Sequence, residues 1–453
     1  MSEIRKIKPS LSKGTRDFLP REVAKRNFIF DTIKSVFRKY GFEEIETPAI
    51  EKLETLTGKY GEEGDKLLFK ILNSGDYLKD VPNDKFQNQN YKELTNYIAE
   101  KGLRYDLTVP LARYVVMNQE NLPFPFKRFH IGPVWRADRP QKGRYQEFYQ
   151  CDADVIGSTS LLNEVELTMI YLEAFEKLGV NVTIRMNNRK LIDEILNISG
   201  IAENKTAVIT LLDKLDKVEW KGEKGIEQQL IALGLTQSKT NTLFDCLNSN
   251  NYLQFIEKSV NTEVAKEVKS VSQFFEKESR VLFDPTLMRG LDYYTGTVWE
   301  VRANGVQMGS IAAGGRYDNL TEMFGGQNMS GVGISFGIER IYDVMEELNL
   351  FPTTISQGVL LLFVPREEAV EAFTFQQVQA LRDAGIGAEI FLGNVKKQKQ
   401  FKYIEDKDIP YMVEIGENEV KSAIFRLKNA QKREIMGEFN MEQLIAKFSK
   451  TQA

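Results

Sequence analysis

Residues 126–154 read FKRFHIGPVWRADRPQKGRYQEFYQCDAD. Two parts of this stretch, 129–135 and 145–155, are rich in aromatic and β-branched residues, and the part between them holds Pro140 and Gly143. This composition predicts two strands joined by a long loop, that is, a β-hairpin. Side chains alternate between the two faces of a strand. In the second strand one face is mostly polar and carries Gln146, Phe148, Gln150, Asp152 and Asp154. Such a face is either exposed to solvent or part of a site, and the hairpin alone leaves both readings open.

The same hairpin is strongly basic. Between residues 127 and 144 it carries six basic side chains against one acid, Asp138. The six are Lys127, Arg128, Arg136, Arg139, Lys142 and Arg144. The hairpin therefore predicts an anion-binding surface. The whole chain has a net charge of −4, so a nucleic-acid partner must be met by local basic patches and not by an overall field.

The composition is that of a globular protein with more than one domain. The chain has 453 residues, of which 42% are hydrophobic and 27% charged, and we expect two or three domains. Two cysteines, Cys151 and Cys246, and one histidine, His130, are too few for a tetrahedral zinc site or a disulfide framework. We expect both cysteines to be reduced core residues and His130 to pack beside Phe129. The chain shows no signal peptide and no apolar run that could cross a membrane, so a cytoplasmic protein without membrane association is expected.

The segment LRYDLTVPLARYV, residues 103–115, offers a first group of candidate binding residues. If residues 104–108 are extended, Asp106 and Thr108 lie on one face and could hold an ammonium group. They could equally cap a helix that begins near Pro110. The residues themselves leave this choice open.

A second group begins at residue 281, where the chain reads VLFDPTLMRGLDYYTGTVWEV. Arg289 lies between apolar residues and a glycine, which favours a buried or cleft position. Further along, Gly314, Gly315 and Arg316 predict a turn that a ligand or another backbone can approach closely.

Three further patterns complete the chain. Residues 190–278 are rich in lysine and glutamate and predict an inserted helical module. Gly337 opens a predicted helix with Arg340 in its first turn, and the positive end of a helix together with an arginine can hold a phosphate. From residue 358 strands alternate with helices, which favours a small α/β domain with a mostly parallel sheet.

Taken in the order in which they occur along the chain, these segments resemble those of the class II aminoacyl-tRNA synthetases, and among them the histidyl-tRNA synthetase family. The segment ETPAIE is similar to motif 1 of the class, the basic hairpin to motif 2, and GVGISFGIERI to motif 3. The more specific likeness lies in RGLDYYTGTVWE and AAGGRYDNL, which resemble the two histidine-binding signatures of that family, and in KGTRDFLP near the start.

The resemblance implies an α+β fold in which an antiparallel sheet is flanked by helices, with a helical insertion and a C-terminal α/β anticodon-binding domain. The expected boundaries are 1–189 and 279–347 for the catalytic core, 190–278 for the insertion, 348–357 for a linker and 358–453 for the anticodon-binding domain. It also implies a homodimer through motif 1, with Pro48 at the subunit interface.

The activity implied is the ligation of L-histidine to its cognate tRNA through a histidyl-adenylate, with release of AMP and pyrophosphate. ATP is expected as a substrate complex with Mg²⁺, and neither zinc nor an organic cofactor is expected. The alternative is a synthetase-like regulatory subunit of histidine biosynthesis without aminoacylation activity. Such paralogues generally lack the anticodon-binding domain and signature arginines, whereas this chain has residues 358–453, Arg136, Arg289 and Arg340.

The resemblance also implies roles for single residues. Arg136 and Arg289 would be catalytic and contact the α-phosphate and the histidine carboxylate, while Arg340 would hold the γ-phosphate and Arg144 would also meet ATP. The expected histidine-binding residues are Asp106, Thr108, Arg136, Gln150, Asp154, Arg289, Tyr293, Tyr294 and Tyr317. Within this set, Asp106, Thr108 and Gln150 would take the α-amino group, and Asp154 and Tyr294, with Tyr317 nearby, the imidazole. Gln141 would approach the tRNA acceptor end.

Two departures from the family pattern concern the same site. Some members carry glutamate where this chain has Asp106 and Asp154, and Gln146 stands where an arginine is frequent.

In the C-terminal domain Lys396, Lys397, Lys399 and Lys402 are candidates for anticodon contact, with a solvated lysine face as the alternative.

Overall fold

The computed structural model describes residues 8–79, 81–82, 91–201, 205–212, 214, 222, 225–247, 256, 262–287, 293–319, 321–352, 355, 358–393 and 397–449. Arg289 and Lys396 lie outside the described residues. The chain divides into two compact units, one formed by Met1–Arg16 with Ile29–Leu350 and the other by Asp17–Phe28 with Phe351–Ala453.

The strands of the first unit form a large sheet and a small one. They are β1 Glu43–Glu44, β2 Ile50–Lys52, β3 Lys70–Ile71, β4 Lys101–Leu103, β5 Phe126–Trp135, β6 Glu147–Ile156, β7 Val182–Asn188, β8 Val281–Phe283, β9 Thr297–Ala303, β10 Ala312–Tyr317 and β11 Gly331–Gly337. The large sheet has eight strands in the order β1-β5-β6-β11-β10-β9-β7-β8, and the small sheet has the order β2-β4-β3. In the large sheet β1 with β5 and β7 with β8 are parallel, and the other neighbours are antiparallel.

Helices also occur throughout residues 20–350, including the insertion. They are α1 Pro20–Lys39, α2 Leu53–Leu56, α3 Gly61–Lys66, α4 Tyr91–Ile98, α5 Thr108–Asn118, α6 Leu162–Lys177, α7 Arg189–Ile198, α8 Lys205–Leu212, α9 Ile226–Ala232, α10 Gln237–Leu247, α11 Thr262–Ser272 and α12 Ile338–Glu347. Short 3-10 helices span Gln119–Asn121, Gln273–Phe275 and Glu322–Phe324. The expected antiparallel sheet flanked by helices is confirmed.

One face of the large sheet is covered by helices. Phe336 of β11 packs against Phe37 of α1 and Phe175 of α6, with ring centroids 5.8 Å and 5.4 Å apart. Because side chains alternate along β11, the neighbouring Ser335 points to the opposite face. That second face is left for the candidate site.

The basic hairpin is confirmed as β5 and β6, which pair in register from Phe126 opposite Ile156 to Trp135 opposite Glu147. Its charges are not all on the surface, however. Arg128 is fully buried, so the prediction that places it on an anion-binding surface is wrong. The reason is a buried carboxylate, Asp154, directly opposite it in the register.

The predicted turn at residues 314–316 is also wrong, because these residues belong to β10, between β9 and β11. The missing side chains serve close packing within the sheet. A Cβ at Gly314 would overlap the carbonyl oxygen of Gly333, and one at Gly315 would overlap the ring of Tyr294. Arg316 is buried and pairs with Glu164 at 2.6 Å.

The helices of the insertion have a hydrophobic core of their own. Most of its buried members come from helices α7 to α11, among them Leu191, Ile195, Leu230, Leu243 and Val268. Both cysteines are free and buried, as predicted.

The second unit carries a five-stranded sheet. Its strands are β12 Leu361–Pro365, β13 Ala388–Ile390, β14 Tyr411–Ile415, β15 Phe425–Asn429 and β16 Ile435–Phe439, and its further helices are α13 Glu371–Asp383, α14 Lys397–Lys407, α15 Glu417–Ser422 and α16 Met441–Ser449, with a 3-10 helix at Glu368–Val370. The order is β13-β12-β14-β15-β16. Only the two pairs made by β12 are parallel, so the predicted mostly parallel sheet is wrong. The connection from β15 to β16 is too short for a parallel crossover.

No helix among the residues described is long and apolar enough to cross a membrane.

Candidate active site

The uncovered face of the large sheet forms the floor of a cavity of about 420 Å³. Most of the predicted site residues line it: Asp106, Thr108, Arg136, Arg144, Gln150, Tyr293, Tyr294 and Arg340. Asp154, Tyr317 and Gln141 are not among the lining residues. This volume suits a small-molecule site.

The alternation of β6 decides the open question about its polar face. Phe148, Gln150 and Asp152 line the cavity, while the intervening Cys151 is buried on the helix side of the sheet. The polar face is therefore part of a site and not a solvated surface.

Asp106 combines the two roles that the sequence leaves open. Its Oδ1 accepts hydrogen bonds from the backbone N–H of Val109 (3.1 Å) and from the Tyr60 hydroxyl (3.0 Å). Its Oδ2 accepts one from the Tyr293 hydroxyl at 3.4 Å. It therefore caps the first turn of α5, which begins at Thr108, and also lines the cavity. Burial raises the pKa of Asp106, and the Val109 N–H and Arg136 oppose this shift.

Arg136 is held between two aromatic rings. Its guanidinium lies 4.2 Å from the ring centre of Tyr105 and 5.2 Å from that of Phe148. Its Nε donates to the carbonyl oxygen of Tyr105 at 3.1 Å. The rings and the carbonyl limit the orientations of the side chain, so the cavity presents an ordered positive charge.

Arg340, in the first turn of α12, connects that helix to the hairpin loop. Its Nε donates to the carbonyl oxygen of Gly143 at 2.7 Å, and its Nη1 to that of Ser310 at 2.6 Å. Arg144, the next residue of the loop, lies 3.7 Å from Asp138. Three arginines thus line one cavity, which makes it attractive to a polyanion.

The centre of the floor contains buried acceptors. Gln150 donates from Nε2 to the hydroxyl of Ser335 at 2.9 Å, and its Oε1 has no hydrogen-bond partner. Asp152 is only 3% exposed, and its Oδ1 likewise has no partner. Burial raises the pKa of Asp152 to about 7, where Arg128 lowers it and Asp154 raises it further.

Asp154 is buried and does not line the cavity. Its Oδ2 is 2.6 Å from Nη2 of Arg128, and its Oδ1 accepts a hydrogen bond from the Tyr317 hydroxyl. Gly333 provides the room, because a Cβ there would overlap Asp154 Oδ1. Burial raises the pKa of Asp154, whereas Arg128 and the Tyr317 hydroxyl lower it.

Several cavity residues were absent from the sequence-based prediction of the site. Asp152 was on the polar face of the hairpin but received no role. Glu300 lies in RGLDYYTGTVWE, and Ser335 and Glu339 lie in GVGISFGIERI, but none of the three was assigned a role; Ser310 lies in no quoted motif. Tyr60 reaches Asp106 from a part of the chain 46 residues away, which no local pattern reveals. His130 is buried, and burial, with Arg128 and Arg104, lowers its pKa to about 3.

The described residues contain no group of three or more His, Cys, Asp or Glu side chains that could hold a metal ion. Two of the carboxylates that line the cavity are engaged by groups of the protein, Glu300 by Arg185 at 2.7 Å and Glu339 by the backbone N–H of Tyr149 at 2.8 Å.

The chain matches two protein families. Residues 14–78 and 98–341 match the family described as histidyl-tRNA synthetase, and residues 357–451 match the anticodon binding domain. A curated relative from Phocaeicola vulgatus, named histidine–tRNA ligase, is 49% identical over 437 residues, which cover 93% of this chain and 95% of the relative. A relative of the same name from Bacteroides fragilis (strain YCH46) is 48% identical over 442 residues, with 94% and 96% coverage.

A crystal structure of histidyl-tRNA synthetase from Nostoc sp. PCC 7120 superposes with a TM-score of 0.81 at 28% identity, covering 99% of this chain and 100% of that one. The sequence match spans both the large sheet with its cavity and the second unit. Fold, site and sequence agree, and the chain belongs to the histidyl-tRNA synthetase family.

Proposed function

We propose that this protein ligates L-histidine to its cognate tRNA at the expense of ATP, through a histidyl-adenylate. One observation carries the proposal: a single cavity holds three arginines and, on its floor, buried acceptors for the N–H groups of an amino acid. The family match and the names of the relatives support the same reaction.

In the first step a carboxylate oxygen of histidine attacks the α-phosphorus of ATP. The bond from the α-phosphorus to the bridging oxygen breaks, and pyrophosphate leaves. Two anions must approach each other, so positive charge held in place is the main requirement. Arg136 would contact the α-phosphate and the carboxylate, while Arg340 and Arg144 would hold the rest of the triphosphate. Mg²⁺ would enter bound to ATP. Arg289 would add a further cation at the α-phosphate.

The amino-acid end of the cavity would recognise histidine by hydrogen bonds. Asp106, Thr108 and Gln150 would hold the α-amino group. Asp154 and Tyr294, with Tyr317 nearby, would contact the imidazole; of these three residues Tyr294 lines the cavity. Tyr293 fixes Asp106 through its hydroxyl. An analogue that lacks a ring nitrogen would leave buried groups unpaired, at a cost of about 1–3 kcal/mol for each.

In the second step a ribose hydroxyl of the terminal adenosine attacks the carbonyl carbon, and AMP leaves. Gln141, on the exposed hairpin loop, would meet the acceptor end. The second unit would bind the anticodon, because residues 357–451 match an anticodon-binding family. We further propose that the protein forms a homodimer through the segment around Pro48. We place it in the cytoplasm.

The charging reaction tests this proposal directly. Purified protein, ATP, Mg²⁺, labelled histidine and a transcript of histidine tRNA are expected to give labelled tRNA. A tRNA for another amino acid is the control and should stay unlabelled. If histidine tRNA also stays unlabelled while the folded protein binds histidine, the regulatory-subunit alternative is favoured instead.

A further inference from the structure

The two carboxylate oxygens of Asp106 are held differently. Oδ1 accepts hydrogen bonds from the backbone N–H of Val109 at 3.1 Å and from the Tyr60 hydroxyl at 3.0 Å. Within the described part of the chain, Oδ2 accepts one longer hydrogen bond, from the Tyr293 hydroxyl at 3.4 Å. A carboxylate oxygen has two lone pairs, so the protein fills Oδ1 and leaves Oδ2 with capacity for a further donor. The bonds on Oδ1 therefore set the plane of the carboxylate and the direction in which Oδ2 faces.

The Tyr60 hydroxyl is the donor to Oδ1 that comes from outside the local chain. Val109 is three residues from Asp106 and belongs to α5, whose first turn Asp106 caps. An aspartate in such a cap makes this bond by itself. Tyr60 is buried and 46 residues away, just before α3. Its bond is an addition to the cap, and it acts on a carboxylate that lines the cavity.

The segment that carries Tyr60 is fastened near both ends, which holds the hydroxyl in place. The backbone N–H of Gly58 donates to both carboxylate oxygens of Asp65, at 3.1 Å and 2.9 Å. Further along, the carbonyl oxygen of Leu67 accepts a hydrogen bond from the backbone N–H of Ala137 at 2.8 Å. Tyr60 thus reaches Asp106 from a support that is itself bonded to the basic hairpin.

The hydroxyl of Tyr60 can be separated from its ring. The ring packs on that of Tyr105, with centroids 4.5 Å apart, and the guanidinium of Arg136 lies 4.2 Å from the centre of the Tyr105 ring. Tyr60→Phe keeps these ring contacts and removes the hydroxyl alone. The hydrogen bond to Asp106 is therefore testable without removing the support of Arg136.

The same hydrogen bond favours a charged Asp106. Burial holds the pKa of Tyr60 well above its usual range, and the Asp106 carboxylate raises it further, so the hydroxyl keeps its proton and donates. Burial also raises the pKa of Asp106, and the Val109 N–H, Arg136 and the Tyr60 hydroxyl oppose this shift. A substrate ammonium group is bound best by an ionised acceptor.

We propose that Tyr60 is a positioning residue for the α-amino group of the substrate: its hydroxyl fixes Asp106 so that Oδ2 faces the cavity and accepts a hydrogen bond from the ammonium. This inference rests on the proposed function, in which Asp106 holds that group. Tyr60 itself does not line the cavity, so it acts through Asp106.

Tyr60→Phe tests the inference in histidine-dependent ATP–pyrophosphate exchange. KM for histidine is expected to rise about tenfold, with kcat and KM for ATP nearly unchanged, because the contact to the amino group is made equally before and during the reaction. Tyr403→Phe is the matched control, since the Tyr403 hydroxyl donates to the Glu389 carboxylate in the second unit. It should leave all three constants unchanged.

Two inhibitors separate positioning from a packing defect. L-Histidinol keeps the α-amino group and lacks the carboxylate, whereas 3-(imidazol-4-yl)propanoate keeps the carboxylate and lacks the amino group. In Tyr60→Phe the inhibition constant of histidinol against histidine should rise about tenfold, while that of the propanoate should change by less than about twofold. An equal weakening of both inhibitors, or of neither, overturns the inference and leaves the proposed function intact.

A double-mutant cycle shows whether Tyr60 acts through Asp106. Asp106→Asn alone should raise KM for histidine, and adding Tyr60→Phe should raise it further by less than about twofold, because both changes disturb one interaction. Fully additive effects would contradict a role through Asp106.

A crystal structure of wild type with histidinol needs no variant and so decides the matter even if Tyr60→Phe does not fold. The amino nitrogen should lie within about 3.2 Å of Asp106 Oδ2, with the Tyr60 hydroxyl still on Oδ1. An amino group bound away from Oδ2 would overturn the inference. No histidine-dependent exchange by wild type would instead contradict the proposed function, and this inference with it.

Discussion

Asp152 and Asp154 lie on the same face of one strand and yet have different environments. Asp154 Oδ1 accepts a hydrogen bond from the Tyr317 hydroxyl, and Oδ2 forms an ion pair with the buried Arg128 at 2.6 Å but has no hydrogen-bond partner. Asp152 lies at the cavity with one oxygen unpaired. Two carboxylates on one strand thus have different surroundings, the cavity for Asp152 and the side chains of Arg128 and Tyr317 for Asp154.

This difference predicts a pH-dependent effect of Asp152→Asn on stability. Burial raises the pKa of Asp152 to about 7 in the folded chain, against about 3.9 in an unfolded one. The folded state therefore keeps a proton that the unfolded state releases, and the stability from this proton is fully present below about pH 4 and lost as the pH rises through about 7. The variant should melt at a higher temperature than wild type at about pH 8 and at nearly the same temperature at about pH 4.5, by thermal denaturation.

The exposed Asp245 supplies the control. The difference in melting temperature between Asp245→Asn and wild type should stay the same over this pH range. A melting-temperature difference for Asp152→Asn that stays constant across the range would contradict a raised pKa for Asp152.

At the scale of elements, the hairpin loop between β5 and β6 is fastened by α12. Arg340 bonds the carbonyl oxygens of Gly143 and Ser310 from one guanidinium. The arginine that the resemblance assigns to the γ-phosphate therefore also shapes the loop that carries Arg144. The position of the loop and the proposed phosphate contact would therefore both depend on this one side chain.

Arg340→Ala is accordingly expected to raise KM for ATP about tenfold and to speed hydrogen exchange of the loop amides around Gly143, since two charge-assisted hydrogen bonds are lost. Arg340→Lys keeps the charge but cannot reproduce the planar fork. It should restore part of the ATP binding and little of the loop protection, as measured by mass spectrometry. Full protection in the lysine variant would show that the two carbonyl bonds do not hold the loop.

The sequence predicts the strands of the hairpin better than it predicts which other strands and side chains pack against them. The period of two in β6 correctly brings Phe148, Gln150 and Asp152 to one face, because that period is local. The placement of residues 314–316 failed, since glycines that read as a turn instead permit close approach between strands. Which of Asp152 and Asp154 faces the cavity depends on Arg128 and Tyr317, whose contacts with Asp154 arise only on folding.

At the scale of the whole molecule, two units carry two parts of the proposed reaction. The first holds the cavity, and the second, whose matched family binds anticodons, carries an exposed lysine row on α14. The alternation of strands and helices after residue 358 predicted an α/β unit correctly. It did not predict the antiparallel half of the sheet, because strand direction there is set by the short connection after β15.

A charge reversal on α14 tests whether the second unit binds tRNA while the first unit alone carries out adenylation. Lys399→Glu combined with Lys402→Glu is expected to raise KM for tRNA in charging about tenfold through lost phosphate contacts. ATP–pyrophosphate exchange, which needs no tRNA, should be unchanged. Lys421→Glu, on α15, is the matched charge control. An unaffected KM for tRNA in the double variant would mean that this lysine row is a solvated face.

The measurement that bears most directly on the central claim is ATP–pyrophosphate exchange by wild type with each of the twenty amino acids in turn. The cavity predicts exchange with histidine alone, since its floor acceptors and arginines complement that amino acid and ATP. Exchange with a different amino acid would contradict the specificity, and exchange with none would contradict the activity.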